Sequence, residues 1–298
     1  MKTHYDAIVI GGGPAGLSAA LTLARALVPT LVIDSPTAPR NAASSSAGGV
    51  PGRDGLTPND LREAIRRDIA PYGHTDFLDA QVRSIEATSD EFEVITEGDS
   101  IRGSRLLLSS GMLDSLPDID GLASRWGHSV LHCPFCEGFP YRNKRWTVYA
   151  YRSEVLASAE IYRKWTDKLA LVIPDDIELT SERESELKAL GIELHRAEIT
   201  ALAGEGSSLS LVTLSNGAEL ASDAMLIWPR QRATALIQQL NLNSDDNGYV
   251  QVDAQFRSSL PGIYAAGDLV YRDHQNINTA MHMGNLAAAT IVMDRCFG

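Results

Sequence analysis

Residues 7–34 read AIVIGGGPAGLSAALTLARALVPTLVID. Four apolar residues, Ala7 to Ile10, run into Gly11-Gly12-Gly13-Pro14-Ala15-Gly16, a helical stretch LSAALTLARAL follows, and Leu31-Val32-Ile33-Asp34 supplies a second apolar run. Strand, glycine turn, helix and strand in that order make a βαβ unit. Inside the turn, Gly11-x-Gly13-x-x-Gly16 opens the helix, and Asp34 closes the next strand 18 residues after Gly16. Gly11 permits the tight turn, Gly13 lets a pyrophosphate approach the backbone, and Gly16 lets the helix pack closely, while the unpaired N–H groups of the helix N-terminus face the phosphate charge. Asp34 can then accept hydrogen bonds from a ribose hydroxyl. The fingerprint alone does not choose between FAD and NAD.

The chain has 298 residues, 44% hydrophobic and 21% charged, an ordinary globular composition with room for roughly two domains. No apolar run approaches the ~18 residues of a membrane span, and the opening stretch lacks the apolar core of about 7 to 15 residues that a signal peptide needs. A soluble, cytoplasmic protein without a membrane partner is expected. With 26 basic against 38 acidic residues the formal charge is −12, a field that repels phosphate backbones, so nucleic acid is not expected as a partner.

Further along, Thr57-Pro58-Asn59-Asp60 reads as a cap with proline at the first helical position, and Leu61, Ile65 and Ile69 follow at helical spacing. Arg105 to Leu108 reads as an extended segment that ends in the turn Ser109-Ser110-Gly111. The middle of the chain repeats the pattern of strand, helix and strand over Trp146–Ala150, Glu154–Trp165 and Leu169–Ile173. Asn216-Gly217 marks a hairpin. Near the C-terminus, Gly262 to Asp268 is a strand ending in Gly267-Asp268, followed by an alanine-rich helix.

Of three cysteines, two form Cys133-Pro134-Phe135-Cys136, with Glu137 next to the second. Redox chemistry uses such a set: one thiolate attacks, the neighbouring thiol resolves, and a carboxyl group relays protons. A zinc site needs two further ligands, and only Cys296 remains, alone near the C-terminus. No metal is expected; Cys296 reads as a passive thiol and His132 as a structural residue.

Together these residues resemble the low-molecular-weight thioredoxin reductase-like flavoproteins across nearly the whole chain. Gly11 to Gly16, Asp34, Cys133 to Phe139 followed by Tyr141-Arg142-Asn143, and Gly262 to Asp268 occur in that family's order. The resemblance implies an α/β protein of two Rossmann-like, three-layer dinucleotide-binding domains, the second inserted in the first. An FAD domain would span 1–114 and 246–298, and 115–245 would carry the cysteine pair. It further implies FAD as cofactor, held by Gly11, Gly13, Pro14, Ala15, Gly16, Asp34, Ser35, Arg40, Asn41, Gly111, Gly267, Asp268, Gln275 and Asn276, with the last two beginning the final helix beneath the flavin. Cys136 would face the flavin, Cys133 would exchange with the substrate, and Glu137 would replace the family's usual Asp as acid/base. A homodimer is implied.

One feature of the family is missing. Its reductases carry a second glycine fingerprint for NADPH, but here the strand runs into Val148-Tyr149-Ala150-Tyr151-Arg152-Ser153-Glu154, and the next strand is followed by Pro174-Asp175-Asp176 rather than a basic cluster. Side chains stand where a pyrophosphate needs bare backbone, and carboxylates where a 2′-phosphate needs cations. This departure resembles the nicotinamide-independent branches: ferredoxin-dependent, diflavin-linked and gliotoxin-type dithiol oxidases. The expected substrates are a thioredoxin-like protein or a small-molecule dithiol or disulfide, with ferredoxin, a second flavin or oxygen as electron partner. The alternatives are an NADPH-dependent thioredoxin reductase with an atypical pocket and a non-enzymatic flavin/disulfide sensor.

Overall fold

The apolar runs of the opening unit lie side by side as parallel strands Ala7–Ile10 and Thr30–Asp34, paired from Ala7 with Thr30 to Ile10 with Ile33. The computed structural model describes residues 2–37, 40, 42–88, 90–270 and 274–297. Two compact units are present: Met1–Arg40, Val50–Ser115 and Gln231–Gly298 form the first, Asn41–Gly49 and Leu116–Arg230 the second.

In the first unit, Ala7–Ile10 occupies the centre of a five-stranded parallel sheet. Leu106–Leu108 and then Ile263–Ala265 lie on one side of it, Thr30–Asp34 and then Thr75–Asp79 on the other. The central strands are covered on both faces, which is why they read as continuous apolar runs and not as alternation. One face packs Ala7, Val9, Val32 and Leu107 against Leu17, Leu23, Ala287 and Ile291 of helices Pro14–Arg25 and Ile277–Phe297. The other packs Ile8, Ile10 and Leu106 against Phe92, Val94 and Ile101, which belong to the antiparallel strands Phe92–Thr96 and Ser100–Gly103. Helix Pro58–Ile69 starts where the sequence places it: the Thr57 hydroxyl accepts the Asp60 N–H at 3.1 Å, an N-cap that satisfies one orphan donor.

The second unit repeats the plan. Trp146–Tyr149 is central, flanked by Leu169–Ile173 and Glu193–Arg196 on one side and by Ala224–Leu226 and Val130–Leu131 on the other, all parallel. An antiparallel sheet of Ile199–Ala203, Leu211–Leu214 and Glu219–Ala221 is joined through the Asn216-Gly217 turn. The single helix expected over Glu154–Trp165 is instead two short ones, Ser153–Ala157 and Ala159–Tyr162. They are interrupted at Ser158, whose hydroxyl donates to the Glu154 carbonyl at 3.2 Å; such back-bonding loosens a helix at that point.

The first and last helices of the first unit touch through backbone. A Cβ on Gly284 would overlap the Ala15 carbonyl oxygen. Gly284→Val is therefore expected to lower the thermal unfolding midpoint by an overpacking cost of about 1–3 kcal/mol. Leu286→Val, at an exposed position of the same helix, should change it little. Equal midpoints for the two variants would refute this packing.

Candidate functional site

In the first unit the glycine turn forms a cradle. Gly11 has φ +111°, and a side chain there would run into the Ser109 carbonyl group; a Cβ on Gly16 would overlap the Gly11 carbonyl oxygen. Gly13 has nothing within 4 Å of where a Cβ would stand, so that side of the turn is open. The 12-residue helix Pro14–Arg25 begins at Gly13 with no side-chain cap and no acidic residue in its first turn, leaving its N-terminal N–H groups for an anion. Asp34 Oδ1 accepts the Gly12 N–H at 2.8 Å. These features fit a dinucleotide: bare backbone for the pyrophosphate and a carboxylate for the ribose.

A second cluster gathers other residues expected at the cofactor. Arg40 donates from Nε to Asp114 Oδ2 at 2.6 Å, and from Nη1 to Gln275 Oε1 at 3.0 Å and Asp268 Oδ2 at 3.2 Å. Gln231 Nε2 donates to Asp114 Oδ1 at 2.8 Å, while its Oε1 accepts from Gln275 Nε2 at 2.8 Å and from the Tyr249 hydroxyl at 2.7 Å. Asn276 caps the last helix, its Oδ1 accepting the Thr279 N–H at 2.9 Å, and the helix proper starts at Ile277. Gly267, at φ +77°, lies against Ala15, and Gly111, at φ +66°, turns the chain after Leu106–Leu108. Ser35 directs its hydroxyl to Gln81 Oε1 at 2.8 Å. Asn41 lies outside the described residues. Arg62, Asp114 and Gln231 have no motif to announce them.

In the second unit, Cys133 and Cys136 form a disulfide with a Cα–Cα distance of 5.3 Å. Cys133 caps the short helix Pro134–Glu137, its Sγ accepting the Cys136 N–H at 3.1 Å. After reduction the same N–H favours the thiolate on Cys133. The Glu137 side chain is only 9% exposed, with Oε2 standing 3.4 Å from His132 Nδ1 and Oε1 accepting from the Ser44 hydroxyl at 2.8 Å. Burial pushes this carboxyl up, but His132 and Ser44 outweigh burial and hold it below the usual glutamate range. Ser44 comes from the stretch 42–49, where a Cβ on Gly48 would also overlap the Cys136 carbonyl oxygen. Phe135 and Phe139 are exposed beside the disulfide, and Trp165 meets the Phe135 ring edge-on at 5.1 Å. His132 therefore has a carboxylate neighbour that its sequence position did not reveal.

The turn that matches the glycine cradle is filled in the second unit. Tyr149 and Tyr151 stack with centroids 5.2 Å apart. The Tyr149 hydroxyl donates to Glu198 and the Tyr151 hydroxyl to the Trp228 carbonyl. Burial, and then the bond to Glu198, push the Tyr149 phenol up, which keeps its proton in place. The helix that follows has five residues, with Glu154 in its first turn. Among the described residues no group of three or more His, Cys, Asp and Glu side chains is placed to hold a metal ion, and no helix is long and apolar enough to cross a membrane.

Comparison with known proteins gives a consistent result. The model of the family described as pyridine nucleotide-disulphide oxidoreductase matches residues 5–157 and 166–284. Thioredoxin reductase tcpT of Claviceps purpurea is 30% identical, covering 88% of this chain and 86% of its own. Thioredoxin reductase sirT of Leptosphaeria maculans is 29% identical, covering 89% and 86%. The crystal structure of TrxB from Bacillus anthracis superposes with a TM-score of 0.90 at 28% identity, covering 98% of each chain.

The Glu137 environment predicts a pH dependence. Because the folded carboxyl titrates below its unfolded value, its stabilisation is complete above the ordinary glutamate range and is lost as pH falls through the folded pKa. Unfolding midpoints of the wild type and Glu137→Gln should differ most near neutrality and converge on acidification. A gap independent of pH would contradict an ionised, buried Glu137.

Proposed function

The chain belongs to the pyridine nucleotide-disulphide oxidoreductase family, and on that premise we propose that it is an FAD-dependent thiol/disulfide oxidoreductase that moves two electrons through Cys133 and Cys136 without NADPH. One observation carries this reading: the two units share a four-strand parallel core, yet only the first keeps an open glycine cradle, while the second fills the equivalent turn with Tyr149 and Tyr151 and keeps the disulfide. Both tyrosine hydroxyls are bonded internally, so clearing the turn for a pyrophosphate would strand buried polar groups as well as move two rings. Glu154 and the Asp175-Asp176 pair add negative charge where phosphates would have to lie.

Gly13, the first-turn N–H groups and Asp34 would hold the pyrophosphate and ribose, with Asp268, Gln275 and Arg40 toward the flavin end. When bound, FAD supplies a two-electron store for the cysteine pair. The rest is the work of the chain's own groups. A substrate thiolate attacks Cys133 Sγ, breaking the Cys133–Cys136 bond and leaving Cys136 as thiolate. The second substrate thiol then displaces Cys133, so the substrate leaves as a disulfide and both cysteines are reduced. Two protons leave the substrate thiols: one protonates the departing Cys136 thiolate, and Glu137, held ionised, accepts the other and exchanges it with His132, while Cys133 is left as the thiolate. Read backwards, the Cys133 thiolate, favoured by the Cys136 N–H, attacks a substrate disulfide. The names of the fungal and bacterial relatives support a thioredoxin-like protein as substrate; a small-molecule dithiol or disulfide is the other substrate proposed, with ferredoxin, a second flavin or oxygen as electron partner.

The deciding experiment is anaerobic mixing of the purified protein with a small dithiol, NADPH or NADH while the visible flavin band is followed. Bleaching by the dithiol alone is expected; rapid bleaching by micromolar NADPH would overturn the nicotinamide-independent reading. Cys136→Ser should keep its flavin and lose turnover. His132→Gln should lower turnover by about 10²-fold and shift its pH profile, the scale of a lost proton-transfer group; wild-type rates in this variant would remove His132 from the relay.

A further inference from the structure

Arg62 carries no role in the sequence pattern, yet its side chain closes the nucleotide cradle. We propose that Arg62 is a positioning residue for the adenosine half of FAD, an inference that rests on the FAD reading above. From helix Pro58–Ile69 it donates through Nε to the Gly12 carbonyl at 3.1 Å and through Nη2 to Asp34 Oδ2. The Gly12 N–H donates to Asp34 Oδ1. Phosphate turn, ribose acid and guanidinium thus form a closed ring of hydrogen bonds.

Three physical consequences follow. A carboxylate offers about four lone-pair sites, so two of them remain at Asp34 for the vicinal hydroxyls of a ribose. Those sites are fixed before the ligand arrives, which lowers the ordering cost of binding. The charge of Asp34 is also offset beside a pyrophosphate that brings further negative charge. The side chains are 17% and 22% exposed, so the pair is shielded in a way that surface ion pairs are not. Arg66, one turn later, lies over the Phe77 ring with its Nη2 4.0 Å from Asp34 Oδ2 and 3.6 Å from Asp79 Oδ1. It reinforces the positive field, but only Arg62 hydrogen-bonds both halves of the cradle. A lysine would keep the charge but lose that span, because its donors radiate from one nitrogen and lack the rigid planar fork by which Nε and Nη2 reach separate acceptors.

The test uses flavin-stripped full-length protein titrated with FAD by fluorescence, competition by ADP, and the thermal midpoint of the apoprotein. Arg62→Ala should weaken FAD and ADP each by about tenfold or more, the scale of one charge-assisted bond, with the apoprotein midpoint close to wild type. Arg62→Lys should fall between the two and decides the matter if the alanine variant does not fold. Wild-type affinity for FAD and ADP in Arg62→Lys and Arg62→Ala would overturn the proposal, as would losses matched by an equal fall in apoprotein stability. Absence of FAD binding by the wild type would instead defeat the FAD reading itself.

Discussion

Main chain meets main chain at the first βα turn, and the architecture of the first unit depends on that approach. Gly11 passes beside the Ser109 carbonyl, Gly16 sits over the Gly11 carbonyl, and Gly284 sits over the Ala15 carbonyl. One methyl group at any of these points would force strand and helices apart. Because they do not separate, helix Pro14–Arg25 aims its N-terminus at the open face of Gly13. The last helix is seated at the same contact, with Asn276 as its cap and Gln275 beside Arg40 and Asp268. A dinucleotide cradle and its distal polar cluster are thus set by the absence of three side chains.

The second unit shows what the same four-strand core becomes when that condition is lifted. Its central strand ends in two stacked tyrosines instead of glycines, and the following helix stops after five residues. A short, interrupted helix has few aligned peptides and an acidic first turn, so it offers an anion little. In this unit the edge strand Val130–Leu131 instead leads into His132, Cys133 and the short helix bearing Cys136 and Glu137. There a buried, ionised Glu137 is balanced by its neighbours His132 and Ser44 and not by solvent.

Much of this was legible in the sequence where the signal is local. The βαβ unit, the Thr57 cap, the Asn216-Gly217 hairpin and the CxxC segment each announce themselves within a few residues. The mixed α/β architecture with parallel sheets, and the likeness to thioredoxin reductases, agree with that reading. What escaped it depends on distance along the chain. Arg62 meets Asp34 across 28 residues, Arg40 meets Asp114 across 74, Ser44 meets Glu137 across 93, and Gln231 meets Asp114 across 117. Isolated polar residues have no periodicity, so nothing in the letters pairs them. The broken helix at Ser158 failed for another reason: its apolar spacing is helical, and one hydroxyl turned back on the Glu154 carbonyl interrupts it.

The order in which the segments leave the ribosome follows from how the units are threaded. The first unit takes its edge strand Ile263–Ala265 and its covering helix Ile277–Phe297 from the end of the chain, whereas the second has all its segments by Arg230. Since domains generally fold as units once their sequence has emerged, the cysteine-bearing half can assemble while the nucleotide-binding half still lacks a strand and a helix. During synthesis its two thiols are therefore in place before the glycine cradle of the first unit is complete, and at that stage they meet the surrounding thiol pool first.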